Sequence, residues 1–326
     1  MSTTRYRVGF VGAGGVATRH ATVLAEFPDV AIAGVVDPNP EAARALADQA
    51  GATVEQSVDD LLALEVDAVY VCVPPFAHGQ AETAVLAAGV PLFVEKPLGL
   101  DTELPAKLAA QVVAADVVTG VGFHWRYSAA VERARAALAG RPVSLVAGAW
   151  LDKVPPVGWW PRRDGSGGQL VEQAVHVVDL ARVLAGEVAE VYAVADASPP
   201  DAPGADVDSS AAATLRFASG AVGTLSTTCR LGWKHRAALE VYADGVAVAI
   251  SEDGCEVRTA DGHQWHPVDP MDAKRAVDRA FLDAVGGDRS GVLVDYPDAL
   301  RSHQLACALA TSAAERRPVE LETADV

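Results

Sequence analysis

Two short stretches of the 326-residue chain carry side chains that could move protons or stabilise charge at an oxygen atom. The first is Glu95-Lys96-Pro97, which directly follows a short apolar run. A lysine at the end of a buried strand can donate hydrogen bonds to a hydroxyl or carbonyl oxygen and stabilise negative charge there. The position leaves a second interpretation open, in which Lys96 pairs with Glu95 and faces solvent.

The second stretch spans residues 167–179, opens with two glycines and reads GGQLVEQAVHVVD. Glu172 and His176 are four residues apart and Asp179 follows three residues later, so one continuous helix would place all three on the same side. Histidine titrates near neutral pH, and a carboxylate one turn away can set its tautomer and raise its basicity. The pattern predicts a general acid or base acting on an alcohol or carbonyl oxygen. A buried histidine with purely structural hydrogen bonds is the alternative.

A glycine-rich turn near the start of the chain predicts a dinucleotide site. Residues 12–17, GAGGVA, fit the pattern G-x-G-x-x-G/A between an apolar run and a helical pattern. Gly12 would allow the tight turn, Gly14 would let the backbone approach a pyrophosphate, and Ala17 would let the helix pack on the strand. The first N–H groups of that helix would face the phosphates. Asp37 could accept from the adenosine ribose hydroxyls and would repel a 2′-phosphate, which favours NAD, with NADP still possible.

Strands and helices that alternate along residues 1–122 would position these side chains. This alternation predicts an α/β fold with a doubly wound parallel sheet. Ligands of such sheets lie beyond the carboxyl ends of the strands. Five such ends should therefore face one crevice, at Gly14, Asp37, Pro74, Lys96 and Gly122.

Residues 123–326 show a different pattern, in which segments between about 188 and 268 alternate in the β manner. We expect a Rossmann domain over 1–122 and an α+β substrate and oligomerisation domain over 123–326. The second domain should hold a large, open, mostly antiparallel sheet, and the C-terminal helix could pack back on the first domain. Within it we expect one helix over Gln169–Leu184, preceded by a long polar loop that contains Trp160.

Composition excludes several classes of partner. The 26 lysines and arginines against 43 acidic residues give a net charge of −17, a poor match for nucleic acid or an anionic membrane. Four scattered cysteines suggest neither a metal site nor a redox pair.

The sequence has no apolar run long enough to span a membrane and no room for a signal peptide, so a soluble cytoplasmic protein is expected. An apolar outer face of the open sheet would need a cover, which favours a homodimer or homotetramer.

In order and spacing, these motifs resemble the glucose–fructose oxidoreductase/inositol dehydrogenase (Gfo/Idh/MocA) family. The matching stretches are the glycine turn, Val73-Pro74-Pro75 with His78, Glu95-Lys96-Pro97, GFHWRY at 122–127, Gly167-Gly168 with Glu172 and His176, and segments 299–302 and 318–321. The resemblance implies a nucleotide-binding domain followed by a domain with a large open sheet. It also implies NAD(P)-dependent oxidation or reduction at a carbon of a sugar, sugar derivative or cyclic polyol.

The resemblance further implies a role for each matched position. Lys96 would orient cofactor and substrate and His176 would be the general acid or base, with Glu172 standing where the family has an aspartate. The implied cofactor residues are Gly12, Gly14, Gly15, Val16, Ala17, Asp37, Val73, Pro74, Pro75, His78, Glu95 and Lys96. The implied substrate residues are Arg126, Trp160, Arg162, Gln173 and His176. Gln173 is larger than the small residue expected there and could narrow the pocket.

Two other functions are compatible with the same motifs. A redox-neutral enzyme could oxidise, eliminate and re-reduce its substrate, giving glycoside cleavage or epimerisation without net consumption of NAD. A non-catalytic sensor could bind NAD and a partner protein. The joint presence of Lys96 and His176 favours hydride transfer over the sensor.

Overall fold

The computed structural model describes residues 5–322 of the chain. These residues form two compact units. The first unit comprises the chain up to Gly99, then Glu103–His124 and Lys274–Leu300. The second comprises Leu100–Thr102, Trp125–Ala273 and the chain from Arg301 onward. The predicted domain boundary at residue 122 stays a prediction.

Strands and helices alternate through the first part of the chain and strands dominate the second. The strands are β1 (Tyr6–Val11), β2 (Val30–Val36), β3 (Thr53–Val54), β4 (Ala68–Val71), β5 (Leu92–Val94), β6 (Thr119–Val121), β7 (Val143–Leu151), β8 (Val188–Ala195), β9 (Ser210–Phe217), β10 (Val222–Thr228), β11 (Arg236–Ala243), β12 (Val246–Ser251), β13 (Gly254–Thr259), β14 (Gly262–Pro267) and β15 (Val319–Glu320). The α-helices are α1 (Gly15–Leu24), α2 (Pro40–Ala50), α3 (Val58–Leu62), α4 (Gln80–Ala87), α5 (Glu103–Ala115), α6 (Ala129–Leu138), α7 (Arg163–Ser166), α8 (Gln169–Glu172), α9 (Val175–Ala185), α10 (Pro270–Val285) and α11 (Tyr296–Glu315).

The first unit is built on a parallel sheet that, within residues 5–322, has six strands in the order β3-β2-β1-β4-β5-β6. Every residue of β4 and β5 is buried, which explains why these strands are continuously apolar. The strand order places the carboxyl ends of β1 and β4 side by side at the point where the order reverses. The doubly wound parallel sheet predicted from the sequence is confirmed.

Local signals fix most helix ends of the first unit. Helix α2 is capped by the Asn39 side chain, has proline at its first position, and ends at Gly51, which adopts the left-handed region. Helix α4 begins at Gln80, directly after Gly79. Gly79 adopts a φ of +118°, which breaks the helical path between a 3₁₀ turn over Pro75–Ala77 and α4.

The second unit is built on an open sheet in which the described residues provide nine strands, in the order β14-β13-β12-β11-β7-β10-β9-β8-β15. All neighbours are antiparallel except β7 and β10. Burial alternates along β9 and β10, so one face of the sheet is covered and the other is exposed. Helix α9 packs on the covered face, where a Cβ on Gly148 would lie 2.7 Å from Val177. The predicted open sheet domain is confirmed.

The single helix predicted over Gln169–Leu184 is wrong, because the segment forms α8 and α9 with a break at Gln173 and Ala174. The Ala174 N–H donates to the Gln169 carbonyl, five residues back, instead of four. The hydrogen-bond ladder therefore slips by one residue. Hydrophobic periodicity cannot reveal such a slip, because both pieces keep the same apolar pattern.

The segment before α8 has no helix or strand over residues 154–162, as the predicted loop requires, but it departs from a simple polar loop in two ways. It contains the short helix α7, and the Trp160 side chain has no exposed surface. The Ser166 hydroxyl donates to the Trp160 carbonyl at 2.7 Å and accepts from the Gly168 N–H at 3.0 Å. These bonds fold the segment back on itself around the buried indole.

No helix within residues 5–322 is long and apolar enough to cross a membrane.

Candidate active site

The glycine turn after β1 has the geometry that its sequence predicts. Gly12 adopts a φ of +95° and its N–H donates to the Val36 carbonyl at 2.8 Å. A Cβ on Gly12 would overlap the Cys72 carbonyl oxygen and lie 2.8 Å from the carbonyl carbon. Glycine is required here for two independent reasons, the left-handed conformation and the close approach of the β4 end.

The N-terminus of α1 has the features of a phosphate site. Its cap is Gly14, which supplies no side-chain hydrogen bond, and its first turn contains no acidic residue. Helices α2 and α3, in contrast, are capped by the side chains of Asn39 and Ser57. A Cβ added at Gly14 or Gly15 would meet nothing within 4 Å. The positive end of the helix dipole therefore faces open space, which fits the pyrophosphate of a dinucleotide.

Asp37 ties the end of β2 to this turn. Its Oδ2 accepts from the Ala13 N–H at 2.7 Å, and its Oδ1 accepts from the Asn39 N–H at 2.7 Å. Each carboxylate oxygen retains a lone pair that a ribose hydroxyl could use. The half-buried carboxylate is therefore placed to bind both the glycine turn and a ribose.

The residues that follow β4 differ in exposure. Val73 and Pro74 are half-buried, Pro75 is buried, and the His78 side chain is fully enclosed. His78 Nδ1 lies 2.5 Å from Glu82 Oε1, and Glu82 Oε2 accepts from the Gly79 N–H at 2.7 Å. Burial alone would raise the pKa of Glu82, but the charge and hydrogen bond of His78 outweigh it and lower that pKa. His78 and Glu82 thus form a buried pair that caps α4.

The Glu95-Lys96-Pro97 stretch lies at the carboxyl end of β5, with Lys96 half-buried and Glu95 buried. Glu95 Oε2 accepts from the backbone N–H of Lys96 at 3.1 Å. Glu95 Oε1 lies 2.9 Å from Nε2 of His20 and accepts from Arg19 at 3.4 Å. The carboxylate therefore connects the Lys96 peptide to α1, the helix that begins at the glycine turn.

His176, in the second unit, lies at the start of α9 and is 5 % exposed. Its ring packs against the indoles of Trp125 and Trp150, each with centroids 5.9 Å away and planes tilted by 15° and 20°. The two indoles lie 6.0 Å apart. Trp125 also donates to Glu252 at 3.4 Å. The two indoles, nearly parallel to the imidazole, thus fix its plane and shield it from water.

Glu172 has a different setting from the one its spacing predicts. Helix α8 ends at Glu172 and α9 begins at Val175. Glu172 and His176 therefore lie on two different helices, and their side chains are not one turn apart on a single helix. Glu172 Oε2 accepts from the Trp160 indole N–H at 2.6 Å. Trp160 packs in a small core with Val207 and Cys229. The predicted contact of Trp160 with a substrate is not supported, because its ring has no exposed surface.

The other predicted substrate residues are held by protein partners. Arg126 is buried and donates to Asp179 from Nε at 2.9 Å and from Nη2 at 2.6 Å. Asp179, which the spacing placed beside His176, also accepts from the Ser302 hydroxyl at 2.5 Å. Arg162 is exposed and pairs with the neighbouring Asp164, while Gln173 is buried and accepts from Gln169 at 2.9 Å.

Four residues that contact the predicted site residues or their partners were not predicted from the sequence. They are His20, Trp125, Trp150 and Asp278, whose Oδ1 lies 2.7 Å from Nδ1 of His20. Trp150 fits the alternating pattern of β7, which predicts a core residue and nothing more. His20 and Asp278 are 258 residues apart, so no local spacing relates them. Trp125 lies inside the matched stretch GFHWRY, the one place where a signal was available.

Comparisons with known proteins agree with this geometry. The family model for the NAD-binding Rossmann domain of the GFO/IDH/MocA oxidoreductases matches residues 6–123, and the model for the GFO/IDH/MocA C-terminal domain matches 127–247. The chain belongs to the Gfo/Idh/MocA family. It is an NAD(P)-dependent oxidoreductase of that family, which confirms the predicted class, cofactor and fold.

The chain is similar over nearly all of its length to an inositol 2-dehydrogenase of Rhizobium meliloti strain 1021. That relative is 28 % identical over 97 % of this chain and 99 % of its own. A myo-inositol 2-dehydrogenase of Thermotoga maritima is 30 % identical over 72 % of each chain. The crystal structure of GenD2 from gentamicin A biosynthesis, in complex with NAD, matches with a TM-score of 0.87 and 27 % identity, over 99 % of this chain and 98 % of its own.

Proposed function

We propose that the protein transfers a hydride between NAD and a secondary alcohol carbon of a cyclic polyol, sugar or sugar derivative. Lys96 and His176 are the residues to which we assign the proton and charge chemistry. The observation that carries the proposal is the setting of His176, a buried imidazole whose plane two indoles fix at the start of a helix. Such a group is shielded from bulk water and still suited to take one proton.

The glycine turn and α1 would hold the dinucleotide. The uncapped N-terminus of α1 would bind the pyrophosphate, and the open space at Gly14 would admit it. Asp37 would accept from the ribose hydroxyls and oppose the extra phosphate of NADP, which supports NAD. When bound, NAD supplies the carbon that accepts or returns the hydride.

His176 would remove the proton of the reacting hydroxyl in oxidation and return it in reduction. General acid or base catalysis of this kind contributes roughly 10²–10⁴-fold. The Lys96 ammonium would stabilise the negative charge that develops on the same oxygen, a contribution of roughly 10²–10³-fold. Glu172 would act at a distance from the chemistry, because its carboxylate anchors Trp160 in the core next to α8.

A substrate panel tests the proposal. The purified protein is incubated with NAD and separate inositols, aldoses, sugar acids and nucleotide sugars, and NADH is followed by its absorbance. We expect NADH to form with at least one cyclic polyol or sugar and the rate to collapse in His176→Asn. Turnover of a glycoside with no change in NADH would support the redox-neutral glycosidase or epimerase instead. NADH binding with no turnover of any compound would support the sensor.

We also propose a cytoplasmic homo-oligomer assembled through the exposed face of the nine-stranded sheet. Leu145, Tyr192, Val194 and Val222 share that face by strand register, and each is at least 38 % exposed. A second copy is the usual cover for such an apolar face. We expect light scattering to give a dimer or tetramer for the natural protein and a smaller species for Val222→Glu. An unchanged mass for that variant would contradict the assignment of this face.

A further inference from the structure

The first unit contains a buried network of charged side chains, formed by His20, Asp278 and Glu95, the residue that precedes Lys96. His20, on α1, is 3 % exposed and lies between two carboxylates. Its Nε2 is 2.9 Å from Glu95 Oε1, and its Nδ1 is 2.7 Å and 3.0 Å from the two oxygens of Asp278 on α10. Both nitrogens thus face carboxyl oxygens, and when both carboxyls are ionised an imidazolium is the form of the ring that can donate to each of them.

The surroundings of His20 agree with this charge. Burial alone would lower its pKa, but the charges and hydrogen bonds of Asp278 and Glu95 outweigh burial and raise that pKa to about 9. Burial likewise opposes ionisation of Glu95, yet His20, Arg19 and Lys96 lower its pKa to about 2. The rings of Tyr70 and Phe93 pack against the imidazole at 5.5 Å and 5.1 Å and exclude water from it.

The space for Glu95 is provided by the neighbouring strand. A Cβ on Gly122, at the end of β6, would overlap the Glu95 carboxylate. The β5 end can therefore hold a buried carboxylate only because the adjacent strand ends in glycine. This glycine and the three partners of Glu95, namely Arg19, His20 and the Lys96 N–H, show that the carboxylate has one specific place in the fold.

We propose that Glu95 and His20 are positioning residues for the reaction: they fix the Lys96 peptide relative to the helix that follows the glycine turn. The two oxygens of Glu95 have separate tasks, since Oε1 faces His20 and Oε2 accepts from the Lys96 N–H at 3.1 Å. The proposal rests on the proposed function only in assigning a reaction role to Lys96. Neither side chain is proposed to touch the substrate.

Two isosteric substitutions separate positioning from general stability. Glu95→Gln leaves one neutral acceptor oxygen for the three donors His20, Arg19 and the Lys96 N–H. The amide therefore loses a contact, or it keeps both His20 and Lys96 only if His20 gives up its Nε2 proton, and in either case the Lys96 N–H loses its carboxylate acceptor. Asp278→Asn is the matched control, because both Asp278 oxygens face the same N–H and an amide oxygen can still accept from it. Each variant replaces one buried carboxyl group that faces His20, but only Glu95→Gln removes the carboxylate that accepts from the Lys96 N–H.

The experiment measures kcat, KM, the dissociation constant of NADH by fluorescence, and Tm for each variant. We expect both variants to lower Tm. Glu95→Gln should lower kcat by 10-fold to 100-fold and weaken NADH binding at least fivefold. Asp278→Asn should change kcat and the NADH dissociation constant by less than threefold. Equal losses of kcat and NADH affinity in the two variants would overturn the proposal, because they would show a structural role alone. Full turnover in Lys96→Met would instead contradict the proposed function, and the NADH comparison would still test Glu95.

If Glu95→Gln does not fold, two glycine substitutions provide a second test of the proposal. Gly122→Ala displaces the Glu95 carboxylate without changing its charge. Gly120→Ala on the same strand is the control, because its Cβ would meet only the rings of Phe281 and Phe93, at 3.1 Å and 3.2 Å. We expect Gly122→Ala to lower kcat at least tenfold more than Gly120→Ala. Equal kcat values for the two folded variants would overturn the proposal.

Discussion

The two glycines of the turn after β1 should respond to alanine in opposite ways. Gly14 has an extended backbone, with φ −76° and ψ −176°, and a Cβ there meets nothing within 4 Å. Gly14→Ala should therefore change the free energy of unfolding by no more than about 1 kcal/mol in either direction, because alanine restricts the unfolded chain but is a poorer N-cap residue than glycine. The same Cβ would occupy the space through which a pyrophosphate approaches α1. We expect NADH to bind at least tenfold more weakly, a loss of about 1.4 kcal/mol.

Gly12→Ala should instead destabilise the protein without NADH. A left-handed φ of +95° costs a non-glycine residue of order 1–3 kcal/mol. Overlap with the Cys72 backbone adds a similar amount, since two strand ends must separate. Together these costs are about 2–6 kcal/mol, a large part of the 5–15 kcal/mol that typically stabilises a domain.

Urea unfolding without NADH and fluorescence titration with NADH distinguish the two effects. The expected pattern is a stable Gly14→Ala protein with weak NADH binding and an unstable Gly12→Ala protein. A folded Gly14→Ala variant that binds NADH as tightly as the natural protein would refute the assignment of the α1 N-terminus as the pyrophosphate site. A Gly12→Ala variant as stable as the natural protein would refute the strain calculation.

Three further outcomes follow from the buried contacts. Trp160→Phe removes the donor to Glu172 and should lower the free energy of unfolding in urea by about 1–3 kcal/mol. Trp150→Leu removes one of the rings that fix His176 and should lower kcat about tenfold in a steady-state assay, whereas Trp150→Phe should retain most of it. The pKa of His20 is raised from 6.5 to about 9, so its contribution to stability is complete below pH 6.5 and lost as pH rises through 9. Thermal melts should show this decline, of about 3 kcal/mol, in the natural protein and not in His20→Gln.

The sequence was sufficient for the fold class, for the cofactor and for the geometry of the glycine turn. Alternating apolar segments predict a parallel sheet, and the conformations of Gly12 and Gly14 and the contact of Asp37 with the turn depend on local geometry that a short motif encodes. Helix α2 could be placed to the residue, because Asn39, Pro40 and Gly51 each act on a neighbouring peptide. Local chemistry determines such features, so local sequence predicts them.

The parts that sequence did not predict depend on distant partners or on a single hydrogen bond. The break between α8 and α9 follows from one N–H that bonds five residues back, which leaves the apolar pattern unchanged. Arg126 resembles a substrate contact by its type, but Asp179, 53 residues away, binds its guanidinium in the interior. The pairing of His20 with Glu95 spans 75 residues, and only the assembled sheet brings the two together.

A double-mutant cycle on Lys96 and His176 tests the central claim most directly. The variants Lys96→Met, His176→Asn and their combination are compared by kcat/KM on the best substrate of the panel, after NADH titration shows that each still binds the cofactor. We predict a loss of at least 10²-fold for each single variant and, for the combination, a loss well below the product of the two. Single variants that retain more than a tenth of the natural rate would contradict the account.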